Sequence, residues 1–527
     1  MLLRLLQGIL ALSALTYLVN HVIRRLKHGR LPPGPRGIPI LGNLLHLPPA
    51  GVPEFQHWLA LKEKYGPVSC LTLRGQPMVL LQDRRVVHEV LDQQSLKTAS
   101  RPQTEYGAKL CGYNRSAPLM DYTPTLRAHR KLFHQQMGTE ALAAKFDGTS
   151  LEAARRLLVR TLHDPHRLVE HLDRHMTGVI LQATYGYSIR QSGPDPIVRL
   201  IHSVSASTNE ALVPLVWAVD IFPLLRNVPS ALASFKRSAR KAWVEIERAV
   251  EVPYAFVMNR MDSTASRECF VSRTIAHHQG KGAVSATHAD DIKWTAFSMY
   301  QAGTDTVSST LLSLVSAMAL FPQVQRKAQE EIARVVGEAG LPAFQHREQM
   351  PYMQALIKEL HRWSPVAPMG LAHLADQDVH CRGYVVPKGS VLLANVWALM
   401  HDPDAYANPD AFDPDRFLER NELDPTNMAF GFGRRTCPGR LLAKATLFIT
   451  AAHMLAMFDV RKALDENGDE VDFTHRHLPG LTGRPAPFPY RIVPRSARHA
   501  EIIRGLEGHF AMEGDDDAAA VEKLMSG

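Results

Sequence analysis

The sequence predicts a mainly α-helical protein: one large helical domain with a minor β part, preceded by a single transmembrane helix at the N-terminus. Three observations carry this. Long stretches place apolar residues at helical spacing, the β-type runs are short and few, and Leu5–Ile23 is a nearly unbroken apolar run. Of the 527 residues, 45% are hydrophobic and 21% charged, ordinary globular usage that excludes a disordered chain, a fibrous repeat and a polytopic transporter.

The first element is the apolar run, LLQGILALSALTYLVNHVI, close to the ~20 residues a helix needs to cross a bilayer. Arg4 precedes it, and Arg24, Arg25, Lys27 and Arg30 follow. A signal peptide would have a shorter core and a small-residue cleavage site after it. The flanking charges leave the remainder of the chain in the cytoplasm. Residues 1–23 are thus read as a membrane anchor and 24–43 as a basic, proline-rich linker, in which Pro32, Pro33, Pro35 and Pro39 forbid a continuous helix. Residues 44–511 are read as one body, and 512–527 as an acidic tail expected to be solvated and flexible.

Within the body, Glu152–Leu162, Ser234–Met261 and Gln323–Val336 show helical periodicity. Asp291–Leu320 is a longer apolar stretch, about 45 Å as a helix. Cys70–Gln82 and Gly383–Asn395 pair short β-type runs around turn residues and read as hairpins. No internal repeat is visible, and no composition shift marks a second domain. The net charge of +8 is mild, and beyond the N-terminal cluster no basic stripe supports a nucleic-acid partner. The five cysteines are scattered without CxxC pairs, which argues against a disulfide framework or a zinc cage.

One of them lies in FGFGRRTCPG, Phe430–Gly439. Gly433 and Gly439 carry no Cβ and let backbone approach a flat ligand. Pro438 suits the first turn of a helix that Arg440–Leu455 continues. A cysteine at a helix N-terminus beside Arg434 and Arg435 is expected to be a stabilised thiolate, the form a soft metal requires. A lone cysteine is otherwise a small buried side chain. The whole pattern decides between these readings: Phe430, Gly433, Arg435, Cys437 and Gly439 make the chain resemble the cytochrome P-450 family of haem-thiolate monooxygenases. The resemblance implies haem b, with Cys437 as axial ligand of the iron, Arg435 on a propionate, Phe430 shielding the sulfur and Gly439 against the cofactor.

Other segments fit that resemblance. Glu359-Leu-His-Arg362 puts an acid and a base on one helix face. By itself this is a surface ion pair; in the family it joins Arg416, from FDPDRF, in a buried network that holds the cysteine loop. Ala302-Gly-Thr-Asp-Thr306 lies inside the long apolar stretch, where Gly303 and two hydroxyls weaken the helical ladder and an aspartate is costly unless paired or wet. It resembles the oxygen-activation segment, which implies that Thr306 orients water at the iron and Asp305 relays protons. Leu126-Arg-Ala-His-Arg130 resembles the helix that meets the propionates, with Leu126 in place of the usual Trp and Arg130 still available. His373 matches another propionate contact.

No GxGxxG site for a flavin or nicotinamide is present, so electrons must come from elsewhere. The resemblance implies an NADPH-dependent flavoprotein reductase in the endoplasmic reticulum membrane, with Arg434, Arg440 and Lys444 as steering charges. It also implies an apolar small-molecule substrate, delivered through the lipid bilayer. The substrate wall would come from Arg101–Tyr122, Ser203–Leu225, Pro368–Leu371 and His477–Leu481, with Leu119, Leu212, Val216, Met369 and Leu371 as apolar members. Within the family, YMQALIKELHRWSP and TYGYSI are similar to fungal multistep oxidases of secondary metabolism, of the O-methylsterigmatocystin oxidoreductase type. Competing readings are a haem-thiolate isomerase or dehydratase without reductase, a non-catalytic membrane-anchored haem protein, and a helical scaffold with an inert Cys437.

Overall fold

The computed structural model describes residues 31–39, 41–49, 51–73, 75–190, 193–211, 217–261, 266–279, 285–509 and 513–526. The anchor at Leu5–Ile23, its basic flank to Arg30, and Leu212 and Val216 of the substrate wall lie outside the described residues.

The chain divides by its contacts into two compact units. One takes Met1–Pro102, Pro368–Leu399 and Gly431–Thr436; the other takes Gln103–Ala367, Met400–Phe430 and Cys437–Gly527. Each unit is assembled from separated stretches, which is why no composition shift marks a boundary along the chain.

The smaller unit holds helix α1 (Glu54–Tyr65) and strands β1 (Val68–Leu73), β2 (Gln76–Leu81), β3 (His373–Leu374), β4 (Val379–Cys381), β5 (Tyr384–Val386) and β6 (Val391–Ala394). The larger sheet runs β1-β2-β6-β3, with β2 and β6 parallel and the other pairs antiparallel. Phe55 and Trp58 of α1 pack on Leu71, Met78, Leu80 and Met369, so Met369 belongs to this core and not to a substrate wall. The hairpin expected over Cys70–Gln82 forms as β1 and β2. The one expected over Gly383–Asn395 does not. Arg382 and Gly383, with φ of 50° and 78°, make the tight turn that pairs β5 back with β4, and β6 joins β2 instead. The proline-rich segment is no free linker: Cys70 N–H donates to the Pro33 carbonyl at 2.8 Å, and Thr72 N–H to Asn43 Oδ1 at 2.8 Å.

The larger unit is mainly helical. Its principal helices are α2 (Pro124–Met137), α3 (Asp147–His163), α4 (Leu168–Tyr185), α5 (Pro196–Ala211), α6 (Ser234–Met258), α7 (Ala286–Leu320), α8 (Pro322–Val336), α9 (Pro351–Trp363), α10 (Arg440–Met457) and α11 (Glu513–Ser526). Strands β7 (Phe458–Lys462) and β8 (Tyr490–Pro494) form an antiparallel pair. Helix α7 starts five residues before the predicted Asp291, because Ser285 Oγ accepts from His288 N–H and caps it. It stops at Phe321, and Pro322 opens α8 at 107° to it. Leu172 and Val179 of α4, Leu311 and Val315 of α7 and Leu447 of α10 share one apolar core. Among the described residues α10 is the single helix of membrane-spanning length and hydropathy, and Leu447–Met457 is buried in that core.

The tail contradicts its expectation. Residues Glu513–Ser526 are a helix, with Ala518 and Val521 fully buried. Asp517 is 1% exposed and accepts from Arg267 Nη1 at 2.7 Å, from Ser188 N–H at 2.8 Å and from Arg260. The acidic composition signalled solvation, but one aspartate is consumed by arginines far upstream.

Candidate active site

Cys437 sits three residues before α10, and its N–H donates to the Phe430 carbonyl at 2.7 Å. The residue is half-buried, and its thiol is crowded by protein. Burial pushes its pKa above the ordinary range, while the Gly439 N–H and the charges of Arg130 and Arg440 pull it down. Burial wins, so the free-standing thiolate expected from the helix start and Arg434–Arg435 is not what this geometry gives. The local pattern registers the cations but not the desolvation. A thiol ringed by a backbone N–H and two guanidinium groups still suits a soft, positively charged metal centre, which supplies the missing charge. A Cβ on Gly439 would lie 4.0 Å from the sulfur, ordinary van der Waals contact, so the glycine sits directly beside it. Phe430 is half-buried, with the His361 ring edge-on at 5.1 Å and Lys444 Nζ at 5.6 Å.

In the same unit, α7 changes character at its middle. Trp294–Tyr300 and Val307–Ala319 are buried, but Ala302 and Asp305 are exposed and Gly303 and Thr306 half-exposed. This short face fronts open space. The helix is continuous through it, so Gly303 does not break the ladder; a Cβ there would meet Ile180 Cδ1 at 2.7 Å, and the glycine lets α4 approach. Thr306 Oγ1 donates to the Ala302 carbonyl at 3.0 Å. Although its side chain reaches open space, the protein packed around Asp305 strips part of its water and raises its pKa, Asp173 raises it further, and Arg484 and His202 lower it.

Arg130 on α2 is half-buried; burial lowers its pKa and Cys437 raises it, which places the two within electrostatic range. Leu126, one turn earlier, is 1% exposed and packs in the apolar core.

Glu359, Arg362 and Arg416 come together as expected, all fully buried. Arg362 Nε and Nη2 each reach the Glu359 carboxylate at 2.8 Å, and Arg416 Nε at 3.1 Å.

The smaller unit brings Arg435 and His373 together. Arg435 donates through Nε to the Ala99 carbonyl, and Gly433 N–H donates to Asp92 Oδ1 at 2.6 Å. Gly433 has φ +52°, and a Cβ would lie 2.2 Å from the Leu91 carbonyl oxygen, so only glycine fits. His373 is buried, and its Nδ1 lies 2.7 Å from the Thr98 carbonyl. Burial, then the charges of Arg101 and Arg435, hold its pKa well below the usual range. Arg101 Nη1 donates to the Leu371 and Ala372 carbonyls at 2.8 Å each.

Sequence reasoning missed the groups around Asp305. Asp173 is clamped by Arg484 at 2.9 and 3.1 Å and accepts from Ser308 Oγ. The only sequence signal was an acid inside an amphipathic helix. His361 was likewise invisible as a neighbour of Phe430.

The family model described as Cytochrome P450 matches residues 32–488. The cytochrome P450 monooxygenase CLM2 of Gibberella zeae is 42% identical over 509 residues, covering 95% of this chain and 96% of that protein. The multifunctional cytochrome P450 monooxygenase af510 of Aspergillus fumigatus is 40% identical over 492 residues, covering 92% and 91%. The O-methylsterigmatocystin oxidoreductase of Aspergillus flavus is 35% identical over 505 residues, covering 94% and 93%. A zebrafish cytochrome P450 solved with abiraterone superposes with a TM-score of 0.66 at 24% identity, covering 84% of this chain and all of that one; that likeness is one of fold.

Proposed function

This chain belongs to the cytochrome P450 family and is an oxidoreductase of the monooxygenase class, and from that premise we propose that it inserts one oxygen atom from O2 into an apolar small molecule in a fungal biosynthetic step, taking electrons from an NADPH-dependent flavoprotein reductase. The observation that carries this reading is that one unit holds both a crowded thiol in the electrostatic field of Arg130 and a helix face opened at Ala302–Thr306.

The family implies haem, and the donor chemistry fits it: a thiol for iron and cations for two propionates. Cys437 would hold the iron through its sulfur, with Arg435, His373 and Arg130 available to the propionates and Phe430 and Gly439 beside the sulfur. When bound, the haem supplies oxygen activation, which a thiolate ligand favours by pushing electron density toward the iron. The chain's own residues do the rest. Glu359, Arg362 and Arg416 hold the chain around Phe412–Phe417 in place. The Thr306 hydroxyl, now bonded to its own helix, is free to turn toward a water on the open face. Asp305, with its pKa raised by burial, holds a proton closer to neutrality than an ordinary carboxyl and can pass it to that water.

The Asp305–Thr306 pair favours oxygen insertion over isomerisation or dehydration, which needs no proton delivery of this kind. The anchor at residues 1–23 would hold the catalytic part on the cytoplasmic side of the endoplasmic reticulum, beside its reductase and a lipid-dissolved substrate. Reconstitution with and without reductase and NADPH tests the proposal. Turnover is expected only with both, and product formed equally well without either would overturn it.

A further inference from the structure

In the larger unit, a cavity of about 60 Å³ lies between α9, α10 and the segment before α9, with Arg347, Lys358, His361, Thr426, Lys444 and Phe448 in its wall. That is several times the roughly 10–15 Å³ that holds one water. Its wall is cationic. Lys358 is neutralised by Asp424 at 2.9 Å, and Asp424 also accepts from Thr426 N–H and Oγ1. Arg347 and Lys444 are different: among the described residues neither has a carboxylate within salt-bridge distance. Their charges lie over aromatic rings instead, Arg347 5.8 Å from the centre of Phe448 and Lys444 5.6 Å from that of Phe430. Asp147 touches Arg347 only as a distant field. Both cations are half-buried, so water screens them incompletely.

The wall also holds an orphan. His361 is 7% exposed, and its Nε2 is buried without a hydrogen-bond partner. Buried polar atoms are normally paired, and each exception calls for a missing partner. Burial lowers the Lys444 pKa, and the charges of Arg347, Arg440 and Lys358 lower it further against the pull of Asp424. All three features ask for the same thing: a small group with negative charge and acceptor oxygens. Water would satisfy the imidazole but leave two cations uncompensated.

We propose that this cavity binds one free oxyanion of about phosphate size, with Arg347 and Lys444 supplying charge and His361 Nε2–H a hydrogen bond. Charge-assisted bonds of this kind are about twice as strong as neutral ones. The cavity also connects to the cysteine, because His361 and Lys444 both hold the Phe430 ring. An occupant that draws Lys444 away would shift that ring, and this part rests on the function proposed above.

The test is calorimetric titration of the full-length, cofactor-loaded protein in detergent with sodium phosphate, against sodium chloride at matched ionic strength. One saturable phosphate site is expected, weakened at least tenfold in Lys444→Gln and in Arg347→Gln. Lys444→Arg, which keeps the charge, should bind within about threefold of the native chain. A phosphate-dependent displacement of the Soret band, absent from Lys444→Gln, is the expected sign of coupling to the cysteine. Absence of saturable binding, equal binding of chloride, or unchanged affinity in both glutamine variants overturns the site. Saturable binding without any Soret change keeps the site and overturns its coupling to Phe430.

Discussion

Arg416 Nε lies 3.1 Å from the carboxylate of Glu359 across 57 residues of chain, and neither side chain is exposed. The same carboxylate takes two bonds from Arg362 and one from the Asp413 N–H at 2.8 Å. The arginines spend their remaining donors elsewhere, Arg362 on the carbonyls of Met400, Pro409 and Ala411, and Arg416 on the Ala407 carbonyl and the Glu422 carboxylate. Every group is satisfied, so the network is costly to open. Glu359→Ala strands two buried guanidinium groups and is expected to lower stability by about 3–5 kcal/mol, read from urea unfolding. A native unfolding midpoint in that variant would show the network to be dispensable.

Cys437 makes one backbone bond, to Phe430, that serine retains. Cys437→Ser should therefore fold while losing the soft ligand. The reduced, CO-treated native protein is expected to show the red-shifted Soret band of thiolate ligation, and the serine variant to lose it. An unshifted, histidine-type band in the native protein would reject Cys437 as the ligand.

Thr306 has its hydroxyl on the open face of α7, and Val could replace it without loss of packing. Thr306→Val is expected to keep substrate binding but divert electrons to hydrogen peroxide. Proton delivery of this kind is commonly worth about 10²–10⁴ in rate. Measured coupling of NADPH use to product should fall sharply; coupling at the native level would remove Thr306 from proton delivery.

Three buried histidines set an acid limit. His175, His361 and His453 are each pushed down to about 4, burial being the largest cause. Unfolded, they titrate near 6.5. The fold thus favours their neutral forms, and the stability this represents is intact above about pH 6.5 and is lost as pH falls toward 4. Each adds a slope of up to about 1.4 kcal/mol per pH unit in that window. His453, whose Nε2 lies 2.8 Å from the Pro342 carbonyl, is the simplest probe. His453→Gln should flatten the acid side of the stability profile by one proton's worth, and an unchanged slope would refute its titration.

These relationships were unequally legible. The Cys437 loop, the Glu359–Arg362 pair and α7 were readable because each is a pattern along the chain: fixed residues at fixed spacing, or apolar residues at helical period. The hairpin over Gly383–Asn395 misled because alternation names a strand but not its partner, and Val391 pairs with Met78. His373 was readable as a propionate contact, but nothing local reports that Thr98 and Arg435 close over it. Desolvation of Cys437 was equally invisible, since burial is a property of neighbours distant in sequence.

The C-terminal helix gives the sharpest case of that kind. Asp517 is joined to Arg267 and Arg260, 250 and 257 residues upstream, and to the Ser188 N–H beyond α4. It thereby ties α11 to the ends of α4 and α6. Asp515 and Asp516, its neighbours, are exposed. If composition governed the tail, the three aspartates would be interchangeable. The geometry says otherwise: Asp517→Ala removes the buried carboxylate that Arg260, Arg267 and the Ser188 N–H share and is expected to cost about 3 kcal/mol, whereas Asp516→Ala stays within about 0.5 kcal/mol of native. Limited proteolysis should release the tail from the first variant and spare it in the second. Equal protection of both would return residues 513–526 to the solvated tail that their acidity suggests.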